Sequence, residues 1–300
     1  MGLDLNKLEH LIAVAEEGTV TRAAARLHLS QQALSTSIRV LEREVGVPLL
    51  ERTATGMTLL PAGAALVEDA RVLRGAARSA LQRARRIGRG EQELLRLGHT
   101  PAVTGEEIIT LLRQVGTAHP RLATDVNQRY PAELADALLA GDLDIGLCRA
   151  MTPPHGLARA TLGQQPLNIA VAADHPLAGR ASVALAELAD QHFIVWGQAG
   201  RSGYTDLLIG HCRAAGFEPR TERTTLQGTP PATAVIGTDH IAFVTAPPGP
   251  TANGAARILA LDPPVHAPLH ALYSPHLTTP AKDAFLTTAS VSPDDPRTGH

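Results

Sequence analysis

The apolar positions of the first ninety residues recur at helical spacing. Leu5, Leu8, Leu11, Ile12 and Ala15 predict a helix over about residues 4–17, which Gly18 ends. Thr19 can cap a second helix over 20–27, with Ala23, Ala24 and Leu27 turned inward. A short turn at His28 and Leu29 follows. Ser30 is then a natural N-cap for a third helix over about 31–44, stopped by Gly46. Its apolar face reads as Ala33, Leu34, Ile38, Leu41 and Val45, which leaves Gln31, Gln32, Ser35, Thr36 and Arg39 outside. Two short helices, a tight turn and a polar-faced third helix predict a helix-turn-helix. Segments 49–52 and 57–59 flank a glycine turn and predict a two-stranded wing.

From Pro61 a long helix begins, and proline at its first position costs nothing because that N–H has no partner there. Leu66, Ala70, Leu73, Ala77, Ala80, Ala84 and Ile87 follow at alternating steps of 4 and 3 residues. This is a coiled-coil seam whose small residues let a second copy approach closely, so these residues are the expected dimerisation face. A helix lying on its own domain is the alternative. Gly88 and Gly90 mark a linker.

Beyond residue 94 the pattern alternates between strands and helices. Strands are expected at 94–98, 122–128, 144–148, 167–173, 193–196, 220–224, 241–245 and 266–273. Helices are expected at 104–115, 131–139, 204–214, 231–236 and 280–289, and a loop at 246–256. The βαβ rhythm predicts a parallel sheet. Two similar subdomains with crossings near 162–168 and 263–268 would enclose a cleft. The tail 292–300 has no bulky apolar anchor and is expected to be disordered.

Composition changes this picture in one respect. The net charge of -2 argues against a nucleic-acid partner until it is split. Residues 1–90 carry 13 Lys+Arg and 9 Asp+Glu, a net of +4, and residues 91–300 carry the remaining 14 and 20, a net of -6. Seven arginines lie between residues 71 and 89 with no acidic residue among them, which suggests a basic stripe. Cys148 and Cys212 lie far apart, and a reducing compartment is expected. Asp4, Glu9, Glu16 and Glu17 interrupt any signal-peptide pattern, and no apolar run suits a bilayer span. The expected location is the cytoplasm, with no membrane partner.

The chain has no HExxH, CxxC, GxSxG or glycine-rich phosphate loop, and its histidines are scattered. No catalytic residue, metal ligand or cofactor is expected. Small-molecule binding fits better, because the crevice at strand ends is the usual site in α/β units. The candidate effector-binding residues are Thr100, Pro101, Gln128, Arg149, Trp196, Arg201, Ser202, Gln227 and Thr229, with Arg149 or Arg201 suited to a carboxylate.

The segment from Leu8 through Gly63 resembles the DNA-binding domain of LysR-type transcriptional regulators. The likeness lies in Ala13 and Ala15 to Gly18, Thr21-Arg22-Ala23-Ala24, Leu27, Ser30-Gln31, Ala33-Leu34-Ser35, Ile38 and Leu41-Glu42. It continues in Gly46, Leu49, Arg52, Leu59 and Ala62-Gly63. Later echoes are Leu97-Gly98, "LLAGDLDI" ending at Ile145, and His175-Pro176-Leu177. The resemblance implies an α/β chain with a winged helix-turn-helix at 1–60, a linker helix at 61–90 and an effector-binding domain at 91–291. That domain is bilobed and resembles periplasmic binding proteins, with subdomain I at 91–162 and 268–291 and subdomain II at 163–267. The resemblance also implies DNA contacts from Thr19, Arg22, Ser30, Gln31, Gln32, Ser35, Thr36, Arg39, Arg52 and Thr53. Gln32 stands where the family usually has proline, Thr36 where it often has arginine, and Leu60 where it usually has a threonine cap. The implied partners are double-stranded DNA, a second copy in a dimer or tetramer, RNA polymerase and a small organic effector. The rival reading is a bilobed metabolite-binding module whose N-terminal helices serve only oligomerisation.

Overall fold

The structure, a computed structural model, describes residues 4–224 and 229–290. The N-terminal head is built from α1 (Leu5–Glu17), α2 (Val20–Arg26) and α3 (Gln31–Val45). Each begins on a side-chain cap: Asp4, Thr19 and Ser30 accept from the amides of Asn6, Arg22 and Ala33. Gly18 and Gly46 end α1 and α3 in the left-handed conformation. The buried faces meet in a core of Leu8, Leu11, Ile12, Leu34, Leu41 and Leu49. Ala33 and Val45 do not join it. Both are exposed: Ala33 lies about 100° away from the inward direction that Leu34, Ile38 and Leu41 set, and Val45 is the last residue of α3, beyond the core.

Strands β1 (Leu50–Thr53) and β2 (Gly56–Leu59) form the wing as an antiparallel hairpin. The Met57 amide donates to the Gly18 carbonyl at 2.8 Å, and a Cβ on Gly56 would lie 2.3 Å from that oxygen. The wing is thus seated on the α1–α2 turn. Helix α4 (Pro61–Gly88) starts without a side-chain cap at Leu60, and Pro61 takes the first helical position. A missing cap costs about 1 kcal/mol, which the preset proline φ partly offsets.

Leu66 and Ala70, expected on the dimer seam, turn into the head core instead. Further along, Val72, Gly75 and Ser79 are buried, whereas Leu73, Ala77, Ala80, Ala84 and Ile87 are exposed. One helix therefore lies on its own domain along one stripe and leaves another exposed.

The first lobe follows with β3 (Leu94–His99), α5 (Gly105–Ala118), β4 (Ala123–Gln128), α6 (Pro131–Leu139) and β5 (Ile145–Cys148). The long β6 (Ala158–Ala172) leads into the second lobe. There lie β7 (Ser182–Val183), β8 (His192–Val195), α7 (Gly203–Ala214), β9 (Arg220–Arg223), β10 (Ile241–Val244) and β11 (Gly249–Thr251). The equally long β12 (Ala256–Tyr273) returns, and α8 (Pro280–Ala289) packs back on α5.

The main sheet runs β4-β3-β5-β12-β6-β10-β8-β9. The outer triplets are parallel, as the rhythm predicts, but β12 is antiparallel to β5 and β6, and β10 is antiparallel to β6. The all-parallel expectation fails because β6 carries the chain out of the first lobe and β12 carries it back. Their register slips between Ala260 and Val265 and again between Leu269 and His270, where the lobes meet. The expected loop at 246–256 contains β11 and a 3-10 turn, Ala252–Gly254, and the expected helix at 231–236 is a 3-10 turn, Pro231–Val235. The tail at 292–300 lies outside the described residues. Among the described residues no helix is long and apolar enough to cross a membrane.

Candidate functional site

The outer side of α3 is the first place where polar groups gather. Gln31, Gln32, Thr36 and Arg39 are exposed, Ser35 is half-buried, and Ser30 serves as the cap. A shallow concavity of about 530 Å³ is lined by Ser30, Gln32, Ala33, Thr36 and Ser37. A second, of about 630 Å³, runs past Thr36, Arg39 and Arg43 to Pro48. No acidic residue lies in the first turn of α2 or α3, so the positive helix ends are not quenched there. Thr19 caps α2, Arg22 donates to the Glu17 carbonyl, and Thr21 reaches Gln31 at 3.4 Å. On the wing Arg52 and Thr53 are exposed, and the Thr53 hydroxyl donates to the Gly56 carbonyl at 3.2 Å.

The pairing of cations sorts this surface. Lys7 pairs with Glu44 and Arg26 with Glu16 and Glu17. Five of the seven arginines of the 71–89 run also have carboxylate partners: Arg71 with Glu16, Arg74 with Glu9, Arg78 with Asp142, Arg83 with Glu93 and Arg89 with Glu91. The basic stripe expected there is mostly neutralised. Among the described residues Arg39, Arg43 and Arg52 have no ion pair. Glu42 does not neutralise them, because its carboxylate accepts from the amides of Leu49 and Leu50 at 2.9 and 3.3 Å. Arg43 was missed from the sequence, although its spacing of four from Arg39 places it on the same face.

The second gathering lies where the lobes meet. Arg149, at the end of β5, is buried and nearly saturated: Nε donates to the Ala102 carbonyl at 3.0 Å, and one terminal nitrogen donates to the carbonyls of Ala267 and Pro268 at 3.2 and 3.1 Å. Its other terminal nitrogen pairs with Glu107. Glu107 closes the capping box of α5 by accepting from the Thr104 amide at 2.8 Å, and it accepts from Thr245 of the second lobe at 3.5 Å. Close by, a Cβ on Gly203 at the start of α7 would lie 2.0 Å from the Ala150 carbonyl oxygen. The lobes touch there. Burial pushes the Tyr204 hydroxyl up to about 12; Arg149 works against that rise and Glu107 adds to it.

The other cleft candidates are less closely gathered. Thr100 is buried after β3, its amide donates to the Leu147 carbonyl, and its hydroxyl has no partner. Pro101 sits partly buried beside it. Gln128 is exposed at the end of the edge strand, opposite His99. Trp196 packs on the cluster around Ile194 and Val235. Ser202 caps α7, and Arg201 and Thr229 are exposed. Gln227 lies outside the described residues.

Two family models match this architecture: bacterial regulatory helix-turn-helix protein, lysR family, over residues 5–64, and LysR substrate binding domain over residues 88–290. The chain belongs to the LysR family. This LysR-family chain is 33% identical over 223 residues to the uncharacterized HTH-type transcriptional regulator YnfL of Escherichia coli (strain K12), covering 73% of this chain and 74% of that one. It is 32% identical over 218 residues to the HTH-type transcriptional regulator AlsR of Bacillus subtilis (strain 168), covering 72% of each. Two solved structures of CbnR, a LysR family transcriptional regulator, superpose on it at 26% identity. One covers 96% of this chain and 100% of CbnR with a TM-score of 0.58. The other, full-length CbnR complexed with the target DNA, covers 96% and 99% with a TM-score of 0.60. The chain is therefore a DNA-binding transcriptional regulator with an effector-binding domain.

In this LysR-family regulator the head is joined to the sensor by a joint that sequence reading did not find. A Cβ on Gly75 would lie 1.9 Å from the Leu139 carbonyl oxygen, one on Gly141 2.5 Å from that of Gly75, and one on Gly156 2.3 Å from Val72. Around these contacts Arg78 pairs with Asp142 at 2.9 Å and His155 with Asp69 at 2.8 Å. Arg96, held by Asp144, reaches Gln82 of α4 at 3.0 Å. The signal available beforehand was a glycine in mid-helix, where alanine would favour the helix by about 1 kcal/mol.

Proposed function

We propose that this regulator reads duplex DNA with the outer face of α3 and the wing. In this reading Gln31, Gln32, Ser35 and Thr36 meet base edges in the major groove, and Arg39, Arg43 and Arg52 meet phosphates. Thr19, Arg22, Ser30 and Thr53 border the backbone on either side. The observation that supports the reading is the distribution of cations in the head: Arg39, Arg43 and Arg52 on this face have no ion pair, while Arg26, Arg71 and Arg74 behind it are tied to carboxylates. Gln32 adds an amide able to pair with adenine, so base preference departs from that of relatives with proline there.

A second copy joins through the open stripe of α4, Leu73, Ala77, Ala80, Ala84 and Ile87, forming a dimer or a pair of dimers. A small organic effector binds between the lobes near Thr100, Pro101, Ser202 and Arg149, and its occupancy shifts the hinge on β6 and β12. The role is regulation rather than catalysis. Burial pushes the thiols of Cys148 and Cys212 up to about 12, so neither is poised as a nucleophile. The working location is chromosomal DNA in the cytoplasm, where RNA polymerase is the further partner.

The test is a gel shift with the full-length protein on fragments from its own genome at moderate salt, repeated against a metabolite panel. A specific complex that one metabolite changes supports the reading. Absence of any specific complex from folded protein overturns it.

A further inference from the structure

We infer that Glu107 is a built-in carboxylate that occupies the anion position of the inter-lobe cleft, so that the effector places no carboxylate on Arg149. The inference rests on the cleft being the effector site and names the chemistry that site accepts.

Arg149 is buried where the lobes meet, and the sequence alone suits it to an external anion. Its guanidinium is already met by three carbonyls and by Glu107. Glu107 also receives the Thr104 amide and hydroxyl at 2.8 and 3.0 Å and, from the opposite lobe, the Thr245 hydroxyl at 3.5 Å. A carboxylate arriving at Arg149 would have to share one guanidinium with a second carboxylate in a desolvated place, or displace Glu107 and open the α5 cap. Both routes disfavour it. Among the described residues two buried polar atoms near this network have no partner: Nδ1 of His270, whose pKa burial and the charges of Arg159 and Arg149 lower, and the Thr100 hydroxyl, which is neutral. The hydroxyl calls for a hydroxyl, carbonyl or amide. The ligand class this leaves is a small molecule that is uncharged at the end entering between the lobes. Because Glu107 reaches Arg149 in one lobe and Thr245 in the other, the lobes are held together before any effector arrives.

The test uses acetate as the probe on full-length wild type, Glu107→Ala and Glu107→Gln, each melted in acetate and in chloride at equal ionic strength. Glu107→Ala vacates the anion position and is expected to gain about 3 °C in acetate over chloride, an occupancy effect of roughly tenfold saturation. Wild type, and Glu107→Gln with the space still filled, are expected to gain nothing. If wild type gains as much as Glu107→Ala, or if Glu107→Ala gains nothing, the assignment is overturned. Should Glu107→Ala fail to fold in chloride, its refolding yield decides: recovery in acetate alone supports the assignment, and equal failure in both salts overturns it. This readout needs no effector. An acetate gain without any metabolite effect on DNA binding would keep Glu107 in this role while removing the effector reading, and the converse would do the reverse.

Discussion

Gly75 of α4 and the carbonyl of Leu139 at the end of α6 are in backbone contact, with no room for a side chain between them. The contact fixes how the linker helix leaves the head and lies on its own sensor. Under the proposed function, a change in the first lobe would reach the head through this contact.

Substituting Gly75 by alanine tests that joint. In an open helix the change would stabilise by about 1 kcal/mol, but here overpacking against the Leu139 carbonyl should destabilise by about 1–3 kcal/mol. Gly88→Ala in the same helix, where an added Cβ meets nothing, is the matched control and should stabilise. Denaturant unfolding measures both. In gel shifts Gly75→Ala should still bind DNA and should lose the response to effector.

The head's free cations and its amides are expected to behave differently. Arg39→Ala and Arg52→Ala should weaken binding across all sequences and each reduce the salt dependence by about one phosphate contact. Gln31→Ala and Gln32→Ala should alter which bases are preferred, with the salt dependence unchanged. Titrations at several salt concentrations on matched and altered sites separate the two classes.

The open stripe of α4 should be needed for pairing. Leu73 and Ile87 are 45% and 59% exposed in the single chain, and a glutamate at either would sit in a desolvated seam once two helices meet. Leu73→Glu with Ile87→Glu should shift sedimentation from dimer toward monomer and weaken DNA binding. Ala70→Glu is a different case, because Ala70 belongs to the head core and its loss should unfold the head.

Three histidines set the response to mild acid. Burial lowers the pKa of His10, His211 and His270; Arg159 and Arg149 lower that of His270 further, and for His10 the pull of Asp4 and Glu9 only partly opposes it. Once unfolded, each returns to about 6.5 and takes up a proton that the native state refuses. The stability they permit is thus complete above pH 6.5 and declines as the pH falls below it. The melting temperature should drop as the pH falls from about 6.5 toward about 5, and the double substitution His211→Gln, His270→Gln should flatten that slope.

The helices of the head were legible in the sequence, though not every facing, since Ala33 and Val45 turn outward and Leu66 and Ala70 turn inward. The bounds of α1, α2 and α3 follow from local caps, left-handed glycines and a single buried face, all contained within each segment. The crossing strands were read only in part. β6 includes Gly163 and Pro166, and β12 passes through Pro263 and Pro264, residues that argue against a strand in isolation. Each also changes lobes midway, so no single alternation of buried and exposed positions runs its length. In the cleft, Arg149 could be found as a strand-end cation, but Glu107, 42 residues away, could not be named as its partner. The Gly75–Gly141–Gly156 joint was hidden for the same reason, since its members lie in three separate segments and only packing brings them together.

Two heads, paired through α4, are expected to read spaced half-sites on duplex DNA. Selection of bound duplexes from a random pool with the purified full-length protein tests it most directly. The expected result is enrichment of two related half-sites whose centres are separated by about one helical turn, roughly 10 base pairs, or a multiple of it. Enrichment of nothing, or of a single unpaired half-site by a protein that sediments as a monomer, would contradict it.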